Sequence, residues 1–207
     1  MFRIALALLI SQGAWASKVV VAGTAAVLGE DVVTITDTYF YRAVRDLVDD
    51  VGISIAPVGV DELKKAANRL VFEHMVMGEI KSLRTQMTLR ANALSKWDEI
   101  KKKEKRYPSV LKEYSKTENE IVDVIWRRIE VEAFLQKKVE TLTPIITDAE
   151  IERYFQLNQS KFPQETLENQ RGNIRILLQK QRVEKSLEEW IRFLREKYAV
   201  VNMLGGQ

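Results

Sequence analysis

The sequence predicts a mainly helical protein with a small β-sheet built from an amino-terminal hairpin and a carboxy-terminal strand. Three observations carry this reading. Apolar residues recur every three or four positions over most of the chain, as in helices that bury one face. Two Thr-x-x-Glu boxes, Thr117 with Glu120 and Thr147 with Glu150, mark helix starts. Val-rich stretches lie near both ends, and a lone hairpin is marginal in water, so the tail is expected to return and pair with it.

Residues 1–16 read as a cleavable secretory signal. Arg3 supplies the basic end, and Ile4 to Ile10 form an apolar run far short of the about 20 residues that span a bilayer. Ala14 and Ala16 put small residues where a signal peptidase reads, which predicts a cut before Ser17. The remainder, 17–207, is expected to be one exported body, periplasmic in a cell with two membranes and secreted otherwise. Its strands and first helices occupy 17–162, and a last helix and strand (165–204) pack back on them. No later run is apolar enough to cross a membrane. The chain has no cysteine, so its core alone must hold it together in an oxidising compartment.

Within that body, Lys18 to Leu28 and Val32 to Ile35 read as two strands joined by a turn at Gly29-Glu30-Asp31. Thr36 is the expected N-cap of a helix to about Val51, with Tyr39, Ala43, Leu47 and Val51 on one face. The stretch from Gly52 to Gly59, with Pro57, is a connector. Asp61 caps a long helix whose stripe runs Leu63, Ala67, Leu70, His74 and Met77, continuing beyond Leu83. A shorter helix begins at Ser95, passes Trp97 and Ile100, and ends in the lysine run 101–106 ahead of Pro108. Thr117 opens a helix to Leu142, stopped by Pro144, and Thr147 opens one through Ile151, Tyr154 and Phe155. The last helix runs from about Glu165 to Tyr198 on a stripe from Ile174 to Leu194. Ala199 to Leu204 is the returning strand, and Gly205-Gly206-Gln207 is a frayed end.

Composition narrows function chiefly by exclusion. The formal net charge is only +3, and one of those charges is Arg3 in the leader, so the chain is not a dedicated nucleic-acid binder. His74 is the only histidine and reads as a partly buried structural residue. No Ser-His-Asp set, metalloprotease motif or phosphate-binding glycine loop is present, so neither an enzyme nor a cofactor or metal is expected. Glu184, Glu188 and Glu189 read as a solvated helix face. The lysine run reads as a solvated helix end, whose available partners are anionic lipid head groups or acidic clients.

Three segments, in order, resemble a known group. Residues 147–162 (TDAEIERYFQLNQSKF) resemble a stretch of the SurA, PpiD and PrsA group of exported parvulin-associated chaperones, where a capped short helix carries paired aromatics and ends in Asn and Phe. Val27 to Glu30 followed by Ile35-Thr36 resembles that group's opening strand and turn. Leu187 to Tyr198 followed by Val200 to Met203 resembles its final helix and returning strand. The group places isomerase domains after the position of Phe162, yet only 163–173 separate Phe162 from the last helix's apolar stripe.

The resemblance thus implies a chaperone core without the parvulin domain: an ATP-independent holdase with no isomerase activity. Its partners would be unfolded or nascent exported polypeptides, outer-membrane proteins among them. Met75, Met77, Leu83, Met87, Trp97 and Tyr107 are the candidates for a client-facing groove, Met being adaptable on promiscuous surfaces, with core packing the competing reading for each. Trp126 and Trp190 belong to the core or its rim. A dedicated assembly or adaptor subunit, for one partner protein or for a membrane surface, is the alternative, and the sequence leaves a homodimer open.

Overall fold

The computed structural model describes residues 23–51, 55 and 58–204. The leader with its expected cleavage residues Ala14, Ala16 and Ser17, the start of the expected first strand, most of the 52–57 connector and the last three residues lie outside the described residues. The architecture is mainly helical with one small antiparallel sheet. Strands β1 (Thr24–Leu28) and β2 (Asp31–Thr34) form the hairpin, and β3 (Val200–Asn202) pairs with β1, giving the order β2-β1-β3. Leu28 faces Asp31 across a two-residue turn, where Gly29 takes φ +58°. Glycine is the residue that adopts this first turn position without strain. Val27 pairs with Val32 on one side and Val201 on the other, so the chain ends are tied through a shared central strand.

Helix α1 (Ile35–Val48) is capped two residues earlier than the expected position at Thr36. Thr34 is the N-cap: its Oγ1 accepts the Asp37 N–H at 3.0 Å, and Asp37 Oδ2 accepts the Thr34 N–H at 3.2 Å. The carboxylate decides the register, because Asp37 sits three residues after Thr34, whereas Tyr39 occupies that place relative to Thr36. Helix α2 (Val60–Ser82) follows, capped by Gly59 rather than Asp61 and ending before Leu83. Helix α3 (Arg90–Lys103) begins five residues ahead of Ser95.

Helix α4 (Tyr107–Tyr114) was not expected at all. Pro108, read as a stop, lies in its first turn, where a missing N–H costs nothing. Helices α5 (Glu118–Leu142) and α6 (Asp148–Leu157) start at the two expected capping boxes, and α7 (Leu167–Lys197) runs about 46 Å from its cap at Thr166.

Two apolar clusters result. The main core gathers the sheet, α1 to α5 and the carboxy end of α7, with Tyr41, Val71, Met75, Trp97, Ile125 and Leu194 almost fully buried. A satellite cluster joins α6 to the first half of α7 through Ile146, Ile151 and Ile174, with Phe155 stacked on Phe162 at 5.4 Å. Helix α7 is the element shared by both.

Candidate functional site

The residues expected to face clients are divided by the fold. Met75, Met77 and Trp97 are buried core side chains and present no surface, so they cannot form a client-facing groove. Large apolar side chains on a helix suit either a core or a binding surface, and the packing of α2 and α3 selects the core. Met87 and Tyr107 are partly buried against the same core. Trp97 and Tyr107 meet edge to face at 5.0 Å, and both donate to Glu118, the indole at 2.9 Å and the phenol at 3.4 Å. Lys101 also reaches Glu118, at 3.0 Å, so this carboxylate ties α3 and α4 to the start of α5. Only Leu83, just past α2, is openly exposed. Trp126 and Trp190 pack partly buried on the core, as expected.

Charged side chains enter the core beside the apolar stripes. Glu73 accepts the Tyr41 hydroxyl at 2.5 Å and pairs with Arg127 at 3.3 Å. Burial raises both the Glu73 carboxyl and the Tyr41 phenol above their ordinary values, and in the phenol the Glu73 charge adds to the effect. His74 is partly buried beside them. Arg127 Nη1 lies 3.3 Å from His74 Nε2, and a guanidinium can only donate, so this ring nitrogen is the acceptor. Burial first and the Arg127 charge second push His74 down to about 4. Tyr41, His74 and Arg127 border a cavity of about 270 Å³ beside β2, also lined by Val33, Phe40 and Val124.

A larger concavity, about 470 Å³, opens where the end of α1 meets α3 and α5. Val48, Ile125 and Ile129 supply its apolar surface, and α3 supplies the exposed Asn92 and Ser95. Arg128, with a side chain only 10% exposed, forms part of the wall. Its Nη2 holds Asp49 at 3.0 Å across from α1, whereas its Nη1 is buried without a partner. The volume falls within the roughly 300–1,000 Å³ of ligand clefts. This groove is the candidate site. It went unread in the sequence because its walls come from three helices far apart along the chain. The available signal was Arg128, a charged residue three positions after Ile125 on a buried face.

Among the described residues, no group of acidic or histidine side chains is placed to hold a metal ion, and no helix is long and apolar enough to cross a membrane. Compared with protein-family models, with curated proteins and with solved structures, the chain matches none.

Proposed function

We propose that this protein is an exported, ATP-independent holdase for unfolded polypeptides, related in design to the chaperone core of the SurA group and without prolyl isomerase activity. The observation that carries the reading is the way the chain closes. Its last strand pairs with its first, and α6 is joined to α7 by only the short stretch from Asn158 to Thr166, where the resemblance places an isomerase domain. A chain closed in this way has no insertion at that point, and the work left to it is binding.

Such a protein binds through apolar surface and releases by mass action, with modest affinity because the client loses entropy when ordered. The open groove at α1, α3 and α5 supplies apolar contact next to a rigid core, and the abundant surface ion pairs, such as Lys65 with Glu62 and Lys137 with Glu140, keep a loaded complex solvated. Periplasmic clients, including outer-membrane proteins in transit, are the substrates this reading assigns.

The test is an aggregation assay with several unrelated unfolded proteins, paired with an isomerase assay on a proline peptide. Suppression of aggregation at near-stoichiometric protein, with no acceleration of isomerisation, is expected. Failure to protect any client, or measurable isomerisation, overturns the proposal, and a single tight partner in a pull-down would move it to a dedicated assembly subunit.

A further inference from the structure

We infer that the open edge of β3 takes up an extended, apolar polypeptide segment as a fourth, antiparallel strand of the sheet. This deepens the holdase reading, on which the choice of occupant rests.

The first argument is the direction of the backbone groups. The Met203 N–H donates to the Ala25 carbonyl at 2.9 Å, and Val201 stands opposite Val27. In an antiparallel ladder, residues that bond the neighbouring strand alternate with residues whose N–H and C=O point the other way. Val201 and Met203 therefore face β1, and Val200 and Asn202 turn their backbone groups outward, on the side where the order β2-β1-β3 ends. Among the described residues, no backbone or side-chain group bonds them there. The far edge is less open. Thr34 also turns outward, but Asp37 accepts its N–H at 3.2 Å and its carbonyl accepts the Thr38 hydroxyl at 3.0 Å, which leaves Val32 alone. Donors and acceptors spaced two residues apart along a strand are matched by another extended backbone.

The second argument is the side chains beside that edge. Val32, Val27 and Val201 stand opposite one another, so they form a row on one face of the sheet, and Met203, two residues past Val201, joins the same face. Val32, Val201 and Met203 are each more than half exposed. An apolar residue of a fourth strand, set beside Val201, lengthens the row and covers part of it. Soluble proteins blunt such edges with lysine, proline or a bulge. Strand β3 reads Val200-Val201-Asn202, with neither charge nor proline, and its register with β1 is unbroken. Shortness is its one guard, and that sets a weak, reversible hold suited to release by mass action.

The size of the edge decides between occupants. A second copy pairing β3 with β3 would join three-residue strands, far short of the roughly 800 Å² per partner in a stable interface. An unfolded polypeptide needs no such area, because unpaired backbone groups and apolar side chains recur along its whole length.

The experiment measures, by anisotropy, binding of a fluorescent eight-residue peptide of alternating Val and Thr to the mature chain. With Val beside Val201, the Thr residues carry the N–H groups that face β3, since opposite residues of an antiparallel pair bond alike. Two further peptides are N-methylated, one on the Thr residues and one on the Val residues. Asn202→Pro removes an outward N–H without taking a bond from β1, and an edge strand accepts proline in that orientation. We expect the plain peptide to bind wild type, the Val-methylated form to match it within about twofold, and about tenfold weaker binding both for the Thr-methylated form and in Asn202→Pro, the scale of one or two hydrogen bonds. The methylated pair keeps the test independent of how the variant folds. Absent binding, any other order of the two methylated forms, unchanged binding in Asn202→Pro, or a wild-type dimer that Asn202→Pro dissociates in sedimentation overturns the inference. The aggregation assay separates the two levels: protection that survives Asn202→Pro removes the edge and leaves the holdase, whereas a wild type that protects nothing removes the holdase itself.

Discussion

Tyr198 lies directly over Gly78: a methyl group built on the glycine would stand 2.7 Å from Tyr198 Cζ and 2.8 Å from Cε1. The absent side chain on α2 lets the end of α7 approach closely, and the Tyr198 hydroxyl then donates to Glu79 at 3.0 Å while Lys197 pairs with the same carboxylate. This contact positions the chain just ahead of β3, and so the closure of the sheet.

Gly78→Ala should therefore lower stability by about 1–3 kcal/mol, the cost of overpacking, although the same change in an exposed helix interior gains about 1 kcal/mol. In a Tyr198→Ala background the sign should reverse, and Gly78→Ala should be neutral or stabilising. Urea denaturation of the four proteins in this cycle measures the coupling. A stabilising Gly78→Ala on its own would contradict the apposition.

His74 predicts a pH dependence whose sign follows from its environment. Burial and Arg127 lower it from an ordinary 6.5 to about 4, so between these values the unfolded chain binds the extra proton. Its contribution to stability is full above about 6.5 and is lost as the pH falls through 4, an effect of about 2–3 kcal/mol by pH 4. Nearby Asp31 and Asp37 oppose the shift, and Lys81 adds to it. Glu73 acts in the other direction: its carboxyl is raised, so its protonated form is favoured and its contribution diminishes as pH rises through the folded value. His74→Gln, which keeps an acceptor for Arg127, should remove the His74 part alone. Melts of wild type and variant at pH 7 and pH 4.5 check it: equal acid sensitivity in both would rule out a buried neutral histidine.

Glu130 tethers the loop between α2 and α3 from beneath. Its carboxylate accepts the Met87 N–H at 2.6 Å and the Thr88 N–H at 2.7 Å, and also the Thr88 hydroxyl at 2.6 Å, while itself almost fully buried. Glu130→Ala strands two backbone donors and should cost about 3 kcal/mol, since hydrogen bonds to a charged group are worth about 1.5–3 kcal/mol each. Glu130→Gln, with one acceptor oxygen, should cost roughly half of that. Hydrogen exchange at Met87 and Thr88 reports the tether directly, and undiminished protection of both amides in Glu130→Ala would show that something else holds the loop.

The sequence by itself determined what depends on neighbours along the chain. The boxes at Thr117 and Thr147 place two helix starts to the residue, because cap and carboxylate are three positions apart in any context. The returning strand was legible because two short strands cannot bury a face alone, and Val200 to Asn202 are the remaining β-forming run. A partly buried His74 followed from its place on an apolar stripe.

Tertiary structure alone decided which members of a stripe face inward and what they meet there. The sequence cannot separate Met75, Met77 and Trp97 as core from the same residues as a binding surface, since a large apolar side chain suits both. Nor does it show that Glu73, Arg128 and Glu130 enter the interior, because a buried charge is tolerated only when partners from other elements arrive, as Tyr41, Asp49 and Thr88 do here. Gly78 gives no local sign of its role, for the atoms that require a glycine there belong to Tyr198, more than a hundred residues further along the chain. The groove is of the same kind. Three helices make it, and it becomes visible only once all three are in place.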